Sequence, residues 1–325
     1  MAGHRPSLIG KVSDVLNLFS KDRLPADQSG GVYAIGNFDG VHRGHQALFE
    51  TVQSIANANG RPSGVMTFEP HPRQVFQPDQ PHFRLTPLSE KLRQFKALGL
   101  DIAAVVDFDR DLAQLSPAQF VEQRIVEWLK ASHVVVGFHF HFGAKRAGTV
   151  DKLEALGRER GFGVTVIEAQ AEAGQVFSSS DIRRSISDGD VRGASRALGR
   201  FWSVEGVVEK GFQLGTDLGF PTANIALPDG TTLAHGIYAV RVWIGDKRHL
   251  GAAYYGGRPT VNTGAARLEV FLMDFDGDLY GETLTVEFVE HLRGDKAFES
   301  LDELKAQIAK DCEAARVVLD GLEVG

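Results

Sequence analysis

Up to about residue 190, short apolar runs alternate with amphipathic stretches. The runs at 32–35, 64–68, 102–106, 134–138 and 164–167 are short and apolar on both faces. That is the pattern of parallel strands covered on both faces. Between them lie stretches with helical spacing. One covers about 42–59, with Leu48, Val52, Ile55 and Ala56 on one stripe, and stops at Gly60. A second covers about 87–98 and stops at Gly99, and a fourth covers 150–160 and stops at Gly161. The third opens at Ser116-Pro117, a cap followed by a first-turn proline. Strand and helix alternating five times predict a doubly wound α/β parallel sheet.

Beyond about residue 200 the alternation ends. Strand patterns at 201–209, 237–244, 250–255, 268–275 and 284–289 follow one another with turn signals between them, such as Gly245-Asp246 and Asp276-Gly277. This predicts an antiparallel β-barrel or sandwich, closed by one amphipathic C-terminal helix over about 300–318. The small, polar segment 186–200 reads as helical, and the boundary is placed near 185, giving domains 1–185 and 186–325.

Composition narrows the function classes. Against 35 Lys and Arg stand 42 Asp and Glu, a formal charge of −7. An acidic chain lacks the basic face that sequence-independent nucleic-acid binding needs, so no nucleic acid is expected as partner. The single cysteine, Cys312, excludes an internal disulfide and a cysteine-rich zinc site. No apolar run reaches the roughly 18 residues of a membrane helix. The expectation is a cytoplasmic enzyme of small molecules, with no membrane and no obligate protein partner.

The first strand runs into Gly36-Asn37-Phe38-Asp39-Gly40-Val41-His42-Arg43-Gly44-His45. Glycines here allow a sharp turn and close approach to a ligand, and the next helix aims its free N–H groups at the same place. His42 and His45, three apart, share a helix face at that mouth, suited to stabilising charge on a transferring phosphoryl or nucleotidyl group. Gly44 between them leaves room for a nucleotide. A plain glycine-rich turn with two surface histidines is the alternative, and zinc would need a third ligand. A second segment, Ser178-Ser179-Ser180-Asp181-Ile182-Arg183, follows the fifth strand and opens a helix. Its serines and first-turn amides suit phosphate oxygens and Arg183 suits a clamp, though simple N-capping explains the serines alone.

These segments, with Thr67-Phe68-Glu69-Pro70-His71-Pro72, resemble the adenylyltransferase half of bacterial bifunctional riboflavin kinase/FAD synthetases. The resemblance implies transfer of AMP from ATP to the phosphate of FMN, with pyrophosphate released. It implies that His42 and His45 stabilise the α-phosphate transition state and that Arg183 and the serines hold the triphosphate. Gly36, Asn37, Asp39, Gly40 and Gly44 would line the nucleotide. One departure stands out. The family pattern Gly-x-(Asp or Asn)-Phe-x-Phe-Gly is Gly137-Phe138-His139-Phe140-His141-Phe142-Gly143 here, with His139 at the substrate-contacting position. Were the strand to continue this far, His139 and His141 would share one face and the three phenylalanines the other. A neutral imidazole cannot replace a carboxylate charge there.

In the second half, Gly206–Gly215 and Leu218-Gly219-Phe220-Pro221-Thr222-Ala223-Asn224 are glycine-rich enough to wrap amides around phosphates, with Gly211 and Gly215 as candidates. Thr222 and Asn224, two apart in an extended segment, face one side as oxygen ligands fit for Mg²⁺. The Pro-Thr-Ala-Asn string resembles riboflavin kinases, and the similarity continues through Gly256-Gly257-Arg258-Pro259-Thr260 and the stretch from Glu269 to Gly281. It implies phosphorylation of the riboflavin 5′-hydroxyl by ATP. Thr222 and Asn224 would hold Mg²⁺ on the ATP phosphates, Arg258 would lie at the site, and Glu269 would be the catalytic base. Where the family often has Ala-Asn-Ile-Gly, this chain has Ala253-Tyr254-Tyr255-Gly256. The expected cofactors are Mg²⁺ with ATP, and the flavins riboflavin, FMN and FAD are substrates and products. Two other readings stay open at this point: a kinase with an impaired adenylyltransferase half, and a non-catalytic flavin or nucleotide sensor.

Overall fold

The computed structural model describes residues 16–19, 22–168, 171–172, 175–209, 220–228, 230–257 and 266–322. The chain divides into two compact units, Met1–Ser179 and Ser180–Gly325.

In the first unit, β1 (Leu16–Phe19), β2 (Val32–Ile35), β3 (Ser63–Glu69), β4 (Ile102–Asp107), β5 (His133–Gly137) and β6 (Gly163–Ile167) form one parallel sheet in the order β1-β4-β3-β2-β5-β6. Five of these strands are the apolar runs of the sequence. The sixth, β1, is an edge strand that pairs with β4 alone, and the asparagine inside Leu16-Asn17-Leu18-Phe19 interrupts the pattern that marks the others.

The order steps from β2 to β3 and β4 on one side, and to β5 and β6 on the other. Loops leaving the carboxyl ends of β2 and β5 therefore diverge, and a crevice opens between them. The helices α1 (Arg43–Ala58), α2 (Pro72–Phe76), α3 (Leu88–Ala97), α4 (Arg110–Gln114), α5 (Pro117–Phe120) and α6 (Val150–Arg160) cover the sheet. Strand β2 shows why both faces must be covered. Val32 and Ala34 pack with Phe49 and Val52 of α1 and Phe95 of α3. Tyr33 and Ile35 pack with Leu112, Phe120, Ile125 and Leu153 on the opposite face. Local signals set the helix ends: Ser116 and Gln119 form a reciprocal capping box at the start of α5, and Gly161 closes α6 at φ 82°. A small hairpin, β7 (Ala171–Glu172) and β8 (Gln175–Val176), follows β6.

One expectation is corrected here. Strand β5 stops at Gly137 and the chain turns, with Phe140 N–H donating to the Gly137 carbonyl. Strand alternation therefore does not extend to His139 and His141. Phe138 is exposed, Phe140 stacks on buried Phe142, and the His141 ring hydrogen-bonds the His139 carbonyl at 2.9 Å.

The second unit is built from α7 (Ser179–Ser187) beyond its first residue, α8 (Val191–Leu198) and a closed antiparallel barrel. Its strands are β9 (Trp202–Glu209), β10 (Thr222–Ala226), β11 (Gly236–Ile244), β12 (Lys247–Gly256), β13 (Arg267–Leu272) and β14 (Thr283–Arg293), joined in the order β10-β13-β12-β11-β14-β9. The short β10 closes the ring by pairing with both β13 and β9. Inward positions such as Tyr238, Val240, Val270, Val286 and Phe288 are fully buried. The helix Leu301–Asp320 packs Ala315 and Leu319 onto Ala239, Ala252, Met273 and Val289 on the outer wall. A two-pronged Arg293–Asp311 pair, at 2.9 and 2.7 Å, ties it to the end of β14.

The barrel core predicts one outcome. Phe288 stacks on Trp202 at 4.9 Å and meets Tyr238 edge-on at 5.3 Å. Phe288→Ala should cost about 3–5 kcal/mol of stability in that unit, read by urea denaturation.

Candidate active sites

The first site is the loop between β2 and α1. It is tightly wound: Phe38, Gly40 and Val41 have φ of 50°, 89° and 46°. Glycine takes this conformation freely, but phenylalanine and valine are strained in it. Asp39 holds the loop. Its buried carboxylate accepts the N–H groups of Leu85 and Thr86 at 3.2 and 3.0 Å and the Thr86 hydroxyl at 3.2 Å. The same hydroxyl accepts the Gly40 N–H at 2.9 Å. Phe38 is driven beneath the loop, where it meets Phe49 and Phe95 edge-on.

His42 caps α1 without a side-chain cap bond, and His45 lies in the first turn. The helix brings their rings together as a stacked pair, centroids 3.6 Å apart and 21° from parallel. Phe38 supports His45 edge-on at 5.2 Å. A Cβ at Gly44 would sit 3.1 Å from the His42 ring, so a side chain there would press that ring out of place. The His45 Nδ1 is buried with no hydrogen-bond partner among the described residues, although the residue as a whole is half-buried. Burial, then His42, then Lys91 hold the His45 pKa well below its usual value. A neutral His45 imidazole beside a helix N-terminus can donate a hydrogen bond to an anion without carrying a permanent charge.

Of the serine segment, Ser178 and Ser179 lie in the first unit, and Ser180 and Arg183 in the second. Ser179 Oγ donates to the Asp39 carbonyl at 2.7 Å, a bond within the first unit. Ser180 is exposed and Arg183 half-buried. His139 is exposed, its ring 4.1 Å from that of Phe138. Glu69, in the Phe-Glu-Pro-His-Pro string, is gripped by Arg84 through two bonds of 2.5 and 2.7 Å.

The second site lies on the barrel wall. Register places Asn224 of β10 directly opposite Glu269 of β13 and Glu209 of β9, and Glu269 opposite Tyr254 of β12. Opposed residues point to the same side, so these four form one row across four strands. Thr222 shares that face, opposite Phe271. This is the outer wall, since Phe271 packs against the cluster under the terminal helix. Asn224 is buried and its amide nitrogen donates to the Thr222 carbonyl at 3.3 Å, which leaves the Asn224 side-chain oxygen to accept. Glu209 is engaged by Arg267 at 3.0 Å, and Glu269 is half-buried on the strand face it shares with Phe271. The predicted Gly211, Gly215 and Arg258 lie outside the described residues.

A nucleotide-type loop at the switch point of a parallel sheet, and a barrel wall carrying paired oxygen donors beside a carboxylate, define a two-domain enzyme transferring phosphorus-containing groups. Residues 24–181 match the FAD synthetase family and residues 198–319 the riboflavin kinase family. A bifunctional riboflavin kinase/FMN adenylyltransferase of Escherichia coli K12 is 41% identical over 292 residues, covering 90% of this chain and 93% of that protein. That of Pseudomonas fluorescens is 40% identical over 296 residues, covering 91% and 95%. A crystal structure from Streptococcus pneumoniae, described as a macrolide-efflux protein, superposes with a TM-score of 0.83 at 30% identity over 93% of this chain and 99% of that one. Among the described residues of this chain no helix is long and apolar enough to cross a membrane. The chain belongs to the bifunctional riboflavin kinase/FMN adenylyltransferase family.

Sequence reasoning missed two parts of the first site, Thr86 and Lys91. The signal for Lys91 was present: it falls at helical spacing with Gln94, Phe95 and Leu98, so a lysine occupies the inward stripe of α3.

The His45 environment generates a pH prediction. The unfolded imidazole titrates near 6.5, above the folded one, so the unfolded state takes up the proton first. Stability of the unit should therefore fall as pH drops below about 6.5, and NMR should find His45 neutral at pH 6.

Proposed function

We propose that the two sites act in sequence: the barrel phosphorylates riboflavin to FMN with ATP, and the α/β unit adenylylates FMN to FAD with release of pyrophosphate. The observation that carries this reading is the pairing of two separate motif sets, each on the fold its chemistry requires, within one chain that matches both families.

At the barrel, Glu269 takes the proton of the riboflavin 5′-hydroxyl as that oxygen attacks the γ-phosphorus of ATP and ADP leaves. A carboxylate beside Phe271, partly withdrawn from water, is suited to this task. The donor set fits Mg²⁺: a hydroxyl and an amide oxygen on one strand face, opposite a carboxylate. Thr222 and Asn224 would hold that ion, which when bound neutralises charge on the ATP phosphates.

At the α/β unit, an FMN phosphate oxygen attacks the α-phosphorus of ATP and pyrophosphate leaves. The nucleophile is already ionised, so the chain needs to supply position and charge stabilisation rather than a covalent intermediate. His42 and His45 donate to the α-phosphate as charge builds, the loop from Gly36 to Gly44 receives the nucleotide through its backbone, and Ser178, Ser179, Ser180 and Arg183 hold the triphosphate. His139, two residues past the carboxyl end of β5, contacts the substrate through a hydrogen bond. The domain assignment 1–185 and 186–325 and the cytoplasmic setting expected from the sequence belong to this proposal.

The two half-reactions separate the residues. Glu269→Gln should lower riboflavin phosphorylation by about 10²–10⁴-fold while FMN supplied directly is still converted to FAD. His42→Asn should do the reverse, lowering FAD formation from FMN and sparing FMN formation from riboflavin. Near-normal phosphorylation by Glu269→Gln would remove Glu269 as the base.

A further inference from the structure

Lys91 is the most buried lysine of the described residues, with 1% of its surface exposed, and none of the chemistry above uses it. It stands on the inward face of α3, the helix that contributes Phe95 to the core below the loop. Its ammonium donates to the Asn37 carbonyl at 2.9 Å and lies 3.4 Å from the Thr67 hydroxyl. Thr67 donates to the same carbonyl at 3.1 Å. The Asn37 carbonyl is thus fixed from below by β3 and α3 together, one residue before the strained turn at Phe38. An apolar side chain of the same length would fill the volume without the cost of burying a charge. The charge is offset only by what surrounds it.

The surroundings are specific. Asp39 on the loop and Glu69 at the end of β3 favour the ammonium, while Arg84 opposes it. Burial outweighs them and brings the Lys91 pKa down to about 8. On α1, burial first, then His42 and then Lys91 press His45 toward its neutral form.

We propose that Lys91 is the positioning residue of the adenylyltransferase site: its buried ammonium fixes the Asn37 carbonyl, balances Asp39 and sets a cation behind the loop that carries His42 and His45. A cation behind the loop also adds a favourable field for the triphosphate without touching it. The proposal rests on the reading of this unit as an FMN adenylyltransferase.

The test uses the full chain with Lys91→Met and Lys91→Arg. FAD formation from FMN and ATP is followed between about pH 6 and 9.5, and the His45 titration is read by NMR. Lys91→Met should lose about 10²-fold in kcat with a smaller change in KM, and its His45 should titrate at a higher pH than in the wild type. Wild-type activity should decline through about pH 8 as Lys91 loses its proton. Lys91→Arg, whose guanidinium stays charged, should restore much of the activity and move that decline to higher pH. Activity of Lys91→Met within twofold of wild type, or an alkaline decline identical in wild type and Lys91→Arg, overturns the proposal. Should Lys91→Met fail to fold, the alkaline limb of Lys91→Arg decides. Should the wild type make no FAD from FMN, the adenylyltransferase reading falls, and an unmoved His45 titration in the variants would then overturn the Lys91 proposal separately.

Discussion

The first site depends on a buried carboxylate. The chain must reverse sharply between β2 and α1, and it does so through two non-glycine residues, Phe38 and Val41, in the left-handed region. Such backbone persists only where its surroundings over-determine it. Asp39 supplies that constraint by collecting two backbone N–H groups and one hydroxyl, and Thr86 passes the constraint on to Gly40. Ser179 fixes the carbonyl of the same residue. The stacked histidines, the bare Gly44 between them and the open helix N-terminus all follow from the loop being held in this one shape. Stored strain and a rigid frame together give a site that needs little reorganisation when an anion arrives.

The barrel solves a different problem. Its chemistry needs a base and hard oxygen donors on one face, and strand register supplies them. Because β10 pairs with both neighbours, Asn224 is bound into a row with Glu269 and Glu209, and Thr222 follows two residues away on the same face. A slip of one residue in β10 would turn Thr222 and Asn224 inward and Ala223 and Ile225 outward. The apolar demand of the barrel interior, where Ile225 is fully buried, therefore enforces the orientation of the polar residues outside.

The sequence was legible where one physical demand dominated. Five parallel strands stood out because cover on both faces of the sheet makes their runs mostly apolar, and helix ends stood out where Ser116 or Gly161 carries the terminal signal. Edge strand β1 did not, since its four residues include Asn17, whereas the other edge strand, β6, keeps a mostly apolar run. Strand β10 read only as an extended segment, because glycine and proline precede its Thr-Ala-Asn run. The Phe-x-Phe-x-Phe stretch after β5 carried a strand's alternation but is a turn, with Phe142 drawn into the core and Phe138 left outside. The motif residues were visible as strings. Their bracing by Thr86 and Lys91 was not, since both lie about 50 residues further along the chain and only the stacking of α3 against the sheet brings them beneath the loop.

The central claim is that one chain holds two working sites used in order. It is tested most directly by a chromatographic time course of the purified full chain with riboflavin, excess ATP and Mg²⁺. The account predicts that FMN rises first and then gives way to FAD as pyrophosphate accumulates. FMN accumulating without FAD, even when FMN is supplied directly, would contradict it, and tight flavin binding with no consumption of ATP would contradict it for both sites.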